Sequence, residues 1–271
     1  MRASPPNQKS LEVAPQGFSC IYEEGFMMKR LLAMGDIHGM FDRFLEVWDA
    51  VQFRPDEDEF VFLGDYTDRG HQNAAMMKWV MAHEGEPGMV FLRGNHEAMC
   101  ADGAGHAATL LEGDFMSDYH PDRALAYQLW LNNGGYETFS EIEASDAPLA
   151  LHRAWQAAIR KMPLCCTKEW QGQRYFFTHG SIDPDCPLNE QEKDTLLWSR
   201  TLAEEPERYH GEAIIILGHT PVQLLGKPPV PQVLADGHVI LMDTGSFLSE
   251  GRISCMDLLT HEVWQSRDSE P

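Results

Sequence analysis

Three short apolar runs, each closing on a turn filled with acidic, imidazole and amide side chains, set the limits on how this chain can fold. Leu31, Leu32, Ala33 and Met34 lead into Gly35, Asp36, Ile37, His38 and Gly39. Phe60, Val61, Phe62 and Leu63 lead into Gly64, Asp65, Tyr66, Thr67, Asp68, Arg69 and Gly70. Met89, Val90, Phe91 and Leu92 lead into Arg93, Gly94, Asn95, His96 and Glu97. Asp65 follows Asp36 by 29 residues and Asn95 follows Asp65 by 30, which suits one strand, a crossover helix and the next parallel strand. The gaps carry helical spacing. Phe41, Phe44, Leu45, Trp48 and Val51 recur every three or four residues; Ala74, Met77, Val80 and Met81 do the same before Gly85, Pro87 and Gly88 stop the run. The implied unit is βαβαβ, with its three polar turns along one sheet edge, where open α/β sheets gather functional groups.

Beyond Glu97 the pattern changes. Residues 98–162 lack a β-rich run, while Leu125, Leu129 and Trp130, and later Trp155 and Ile159, fall at helical spacing. A helical cap insertion is expected there, with Asp102, Gly103, Ala104, Gly105 and His106 as a flexible loop near its start. Strands are expected at 174–178, 213–217, 238–242 and 252–256, the first two delivering His179 and His219 at their ends. Three prolines make 226–231 a surface loop. Residues 1–26 are expected to form a loosely attached, flexible arm, 27–265 the main domain, and 266–271 a short tail.

Composition narrows the partners. Asp and Glu number 42 against 21 Lys and Arg, a formal charge of −21 that repels nucleic acid and anionic membrane surfaces. The six cysteines show no regular spacing, so neither a disulfide framework nor a zinc finger is favoured. No run reaches the ~18 apolar residues of a membrane span. The expectation is a cytoplasmic protein with a packed core and no membrane or nucleic-acid partner.

Aspartate, histidine and asparagine gathered at one edge are the ligand types that hold a pair of hard-to-borderline divalent ions. The runs Gly35-Asp-Ile-His-Gly39, Gly64-Asp-Tyr-Thr-Asp-Arg-Gly70 and Gly94-Asn-His-Glu97 resemble the three signature motifs of the phosphoprotein phosphatase family of metallophosphatases. His179-Gly180 and Gly218-His219-Thr220 resemble its two later histidine motifs, so the likeness spans roughly residues 31–258. It implies the calcineurin-like fold, an α/β/β/α sandwich of two mixed sheets with a helical insertion. It also implies two divalent ions, Mn first and Fe or Zn as substitutes, bound by Asp36, His38 and Asp65 on one side and by Asp65, Asn95, His179 and His219 on the other. By the same resemblance a metal-bridging hydroxide attacks phosphorus directly, His96 protonates the leaving oxygen, and Asp68 holds His96. Arg69 and Arg93 would clamp phosphate oxygens. Arg200, in Leu-Leu-Trp-Ser-Arg, resembles a further phosphate-binding arginine of the small bacterial and phage members, and Asp243 and Thr244 resemble a supporting Asp-Thr-Gly.

The activity so implied is phosphomonoester hydrolysis, on phosphoserine or phosphothreonine in a phosphoprotein or phosphopeptide. The nearest alternative is a diadenosine tetraphosphate hydrolase, whose members lack an acid at the place of Asp68 and carry Asp where Glu97 stands. A non-catalytic phosphate-binding scaffold is the alternative of a different class, and it would require a degraded site. Two departures stand out: Ser181 follows His179-Gly180 where many relatives have a second glycine, and the chain is short after Gly245, so no regulatory subunit is expected. Elsewhere the bland readings hold. His106, Asp114, Asp118 and His120 have no ligand spacing, and Trp130, Trp155 and the Met76, Met77 and Met81 group read as core.

Overall fold

The computed structural model describes residues 21–22, 30–113 and 120–268. In chain order its first half gives β1 (Ile21–Tyr22), β2 (Arg30–Met34), α1 (Phe41–Val51), β3 (Asp58–Phe62), α2 (Asn73–His83) and β4 (Met89–Phe91). Helices α3 (Asn95–Leu111), α4 (Pro121–Trp130), α5 (Tyr136–Glu143) and α6 (Pro148–Lys161) follow. Then come β5 (Cys165–Trp170), β6 (Gln173–Thr178), α7 (Lys193–Trp198), α8 (Thr201–Glu204), β7 (Ile214–Leu217), β8 (Gln232–Leu234), β9 (Val239–Leu241), β10 (Ser254–Asp257) and β11 (Val263–Gln265).

The strands form two sheets, ordered β11-β10-β2-β3-β4 and β1-β5-β6-β7-β9-β8. In the first, β2, β3 and β4 are parallel and β10 lies antiparallel beside β2. In the second, β6, β7 and β9 are parallel, with β5 and β8 antiparallel on the flanks. Both sheets are mixed.

The strand period of two makes the layers. Along β2, Leu31 and Ala33 pack with Val61, Leu63, Phe177, Ile216 and Ile240 in the seam between sheets. Leu32 and Met34 point the other way and join Phe44, Val47, Trp155 and Ile159 under the helices. On the far side Phe176, Ile215 and Leu217 meet Leu196, Leu197 and Leu202 of α7 and α8. The order helix, sheet, sheet, helix is the calcineurin-like α/β/β/α sandwich.

Phe44 anchors the first helical layer, its ring lying 4.6 Å from Trp79, 6.2 Å from Trp48 and 6.4 Å from Phe62. Phe44→Ala is expected to destabilise the fold by about 3–5 kcal/mol, read from the denaturant midpoint, because several rigid rings would have to collapse at once to fill the void.

Two expectations need correction. Asp102 to His106 is not a loop but part of α3. Gly103 explains it: a Cβ there would lie 2.8 Å from Tyr127 Cα, so the glycine lets α3 and α4 close on each other, and that packing overrides its poor helix propensity. Second, β5 was not foreseen, because Thr167, Lys168 and Glu169 break its apolar pattern, although it pairs along its whole length with β6. Past residue 265, Ser266 is buried, and Arg43 donates to Ser266 Oγ (3.2 Å) and to the Arg267 carbonyl (2.9 Å). The expected arm, residues 1–26, lies outside the described residues except for Ile21–Tyr22, which pair in parallel with β5. Among the described residues no helix is long and apolar enough to cross a membrane.

Candidate active site

The turns after β2, β3, β4, β6, β7 and β9 converge at one edge of the sandwich. Gly64, with φ +102°, lets the turns after β3 and β4 touch, since a Cβ there would lie 2.5 Å from Gly94 N. Glu97, fully buried, binds these turns together: Oε2 accepts from Asp65 N (2.8 Å) and Gly94 N (3.0 Å), and Oε1 from Tyr66 N (3.0 Å). Five non-glycine residues here adopt left-handed backbone: His38 (φ 49°), Asp65 (54°), Asp68 (76°), Arg69 (70°) and His219 (63°). Strain gathered this way marks sites where side-chain aim outweighs backbone comfort.

Backbone carbonyls fix the imidazoles. His38 Nδ1 lies 3.0 Å from Thr67 O, and His179 Nδ1 lies 2.8 Å from Leu63 O. A carbonyl only accepts, so Nδ1 carries a hydrogen and each Nε2 turns inward, where its lone pair serves a cation once that nitrogen gives up any proton. His38 Nε2 faces Asp36 Oδ2 (3.9 Å) and Asp65 Oδ2 (3.6 Å). His179 Nε2 lies 2.7 Å from Asn95 Oδ1 and 3.4 Å from Asp65 Oδ1, and His219 Nδ1 lies 2.9 Å from the same Asn95 oxygen. Asp65 therefore presents one oxygen to each side.

This acceptor-lined cluster fits cations. The atoms of His38, Asp65 and His96 lie within 4.8 Å of one another, as do those of Asp65, His179 and His219, and either set could hold a metal ion. Burial together with neighbouring Asp243 pushes Asp36 well above the usual carboxylate range. Burial disfavours charge on His179, yet Asp65 draws a proton onto it and raises it to about 10. A bound cation would take that proton's place. Asp243, 1% exposed, has one oxygen on Gly245 N (2.9 Å) and the other without a partner among the described residues, a further buried acceptor beside Asp36. Thr244 turns elsewhere, donating to Arg252 O (2.7 Å).

His96 and Asp68 form a buried pair, Nδ1 to Oδ2 at 2.7 Å. His96 Nε2 is 3.8 Å from Asp65 Oδ2, beside the cation cluster. Of the three candidate phosphate-binding arginines, Arg69 reaches this centre: Nη1 lies 2.9 Å from His38 Nε2 and Nη2 2.9 Å from His96 Nε2, with the guanidinium 4.1 Å above the Phe247 ring. Arg93 donates Nη2 to the Ile159 carbonyl (2.7 Å), and Arg200 lies exposed at the start of α8; burial, then the neighbouring His179 and to a lesser degree the Arg200 charge lower His219 to about 3. Among the described residues neither makes a hydrogen bond to a candidate ligand.

Sequence reasoning missed Phe247, which also sets its ring edge-on to His38 at 5.0 Å, and the tethering done by Glu97. Phe247 stands in a loop with no periodic pattern to flag it. Glu97 was visible only as the last residue of its motif.

A mixed two-sheet sandwich with carboxylates and imidazoles at the strand ends defines a metal-dependent phosphoesterase. The calcineurin-like phosphoesterase family model matches residues 29–244, and the chain belongs to that family. It is 25% identical to serine/threonine-protein phosphatase 2 of Salmonella typhimurium, over 82% of this chain and 90% of that one. A shorter stretch, 25% of this chain and 24% of the relative, is 34% identical to the symmetrical bis(5'-nucleosyl)-tetraphosphatase of Chromobacterium violaceum. Among solved structures, a Saccharomyces cerevisiae serine/threonine phosphatase similar to human phosphatase PP5 superposes with a TM-score of 0.54 at 14% identity, covering 89% of this chain and 81% of that one. Phosphoester hydrolysis at a dinuclear metal centre is the chemistry of the family.

Proposed function

We propose that the chain hydrolyses phosphomonoesters of serine and threonine in proteins. Asp36, His38 and Asp65 would hold one divalent ion and Asp65, Asn95, His179 and His219 the other, with Mn favoured and Fe or Zn as substitutes for the same oxygen and nitrogen donors. Once bound there, such a pair would supply neutralisation of phosphate charge and a nucleophilic water at neutral pH. Arg69 orients the phosphoryl group against the centre, with Arg93 and Arg200 contributing charge from the flanks. His96 donates a proton to the leaving oxygen while Asp68 holds its ring.

The observation that carries this reading is the buried His96–Asp68 pair. A serine or threonine alkoxide is a poor leaving group and needs a proton as it departs. A nucleotide leaving from an anhydride is already a stable anion and needs less help. An acid built this firmly therefore favours alkyl monoesters. Diadenosine tetraphosphate is the second reading, favoured by the local likeness to the Chromobacterium violaceum enzyme.

The test compares Mn-loaded enzyme on phosphoserine, phosphothreonine and phosphotyrosine peptides with diadenosine tetraphosphate. The proposal expects kcat/KM on the alkyl phosphopeptides to exceed that on diadenosine tetraphosphate by at least ~10-fold, as differential stabilisation of the alkoxide transition state requires. Preference for the dinucleotide would overturn it.

A further inference from the structure

The Asp68 carboxylate has more partners than His96, and they come from far along the chain. Trp130, the last residue of α4, donates Nε1–H to Asp68 Oδ2 at 2.9 Å. Thr138, in α5, donates its hydroxyl to Asp68 Oδ1 at 2.6 Å, and the same hydroxyl oxygen accepts Asp68 N–H at 2.9 Å. Asp68, Trp130 and Thr138 are all 0% exposed. The intervening turn is shaped for this approach. A Cβ on Gly135 would lie 2.5 Å from Trp130 Nε1, and one on Gly134 would lie 2.6 Å from Arg69 Cγ. Gly134 O accepts Arg69 N–H at 2.9 Å. One turn beyond Thr138, Glu141 accepts from Asn73 N and Asn73 Nδ2, both at 3.0 Å, and Asn73 Oδ1 in turn accepts Asp68 N at 2.8 Å.

We propose that Trp130 and Thr138 are positioning residues for the acid step, so that the helical insertion is part of the catalytic apparatus and not only a wall beside it. A buried carboxylate held by His96 alone would be free to turn and would leave an oxygen without a donor, which is costly in a dry site. With Trp130 and Thr138 in place, both oxygens are occupied by donors that cannot titrate in the working range, and the carboxylate keeps one orientation. Asp68 then has one face left for His96 Nδ1, which aims Nε2 at the phosphate side. The indole ring fills core as expected, but its N–H has a separate task.

The inference rests on the reading of His96 as proton donor, and the experiment separates the two. Trp130→Phe keeps an aromatic ring in the core and removes the N–H; Thr138→Val keeps the shape and removes the hydroxyl; Thr138→Ser keeps the hydroxyl. Each is assayed as Mn-loaded enzyme on a phosphoserine peptide, whose leaving group needs a proton, and on 2,4-dinitrophenyl phosphate, whose leaving group does not. Metal content and thermal midpoint are measured alongside, and His96→Asn serves as reference. Trp130→Phe and Thr138→Val are expected to lower kcat on the phosphopeptide by ~10–100-fold with KM unchanged, and on the dinitrophenyl ester by less than ~3-fold. Thr138→Ser is expected to retain most of the phosphopeptide rate. Equal losses on both substrates, or none on either, with His96→Asn still selective, would overturn the positioning role alone. A His96→Asn enzyme that loses both activities equally would overturn the acid assignment, and the positioning role with it.

Discussion

Asp65→Asn is expected to lower kcat by at least ~100-fold and to lose bound metal. The two effects have one cause. Asp65 Oδ1 lies 3.4 Å from His179 Nε2 and accepts His96 N–H at 3.0 Å, while Oδ2 lies 3.6 Å from His38 Nε2, so a single carboxylate serves both sides of the centre. Its ionised form is secured locally: burial opposes charge, but His179 and His96 outweigh burial and hold Asp65 well below the usual carboxylate range. Asparagine matches the size and can keep one carbonyl oxygen in place, but it removes the charge and replaces the other acceptor with a donor. Metal analysis by mass spectrometry, beside kcat and circular dichroism, checks this. Unchanged metal content with full activity would contradict the bridging role.

His96→Asn is expected to lower kcat on a phosphoserine peptide by at least ~100-fold without loss of metal, the usual size of a general-acid contribution. Burial lowers the imidazole's affinity for a proton, but Asp65 and Asp68 more than restore it and raise His96 above its ordinary value. The acid must be protonated to act, so the wild-type rate falls as pH rises through that raised value. In His96→Asn this alkaline limb should disappear together with most of the rate. Near-wild-type turnover, or loss of metal, would refute the assignment.

Much of this cluster is readable from the chain alone, because its candidate ligands stand directly after strands. A strand end is a local feature: the apolar run, the glycine and the aspartate of Phe60 to Asp65 sit together in the chain. His179 and His219 were readable for the same reason, each following a strand of the second sheet. What escaped was contact made by packing. Trp130 and Thr138 lie 62 and 70 residues from Asp68, and no period or spacing links an indole N–H to so distant a carboxylate. The paired glycines 134 and 135, inside an otherwise helical stretch, were the available signal. The loop expected at Asp102 to His106 failed in the opposite sense, since its glycines serve helix contact instead of a turn.

The most direct measurement is anomalous diffraction at the manganese edge from crystals grown with excess Mn. Two separate peaks on either side of the Asp65 carboxylate, one bordered by Asp36 and His38 and the other by Asn95, His179 and His219, are the predicted result. A single peak, or two that do not share Asp65, would contradict the dinuclear account.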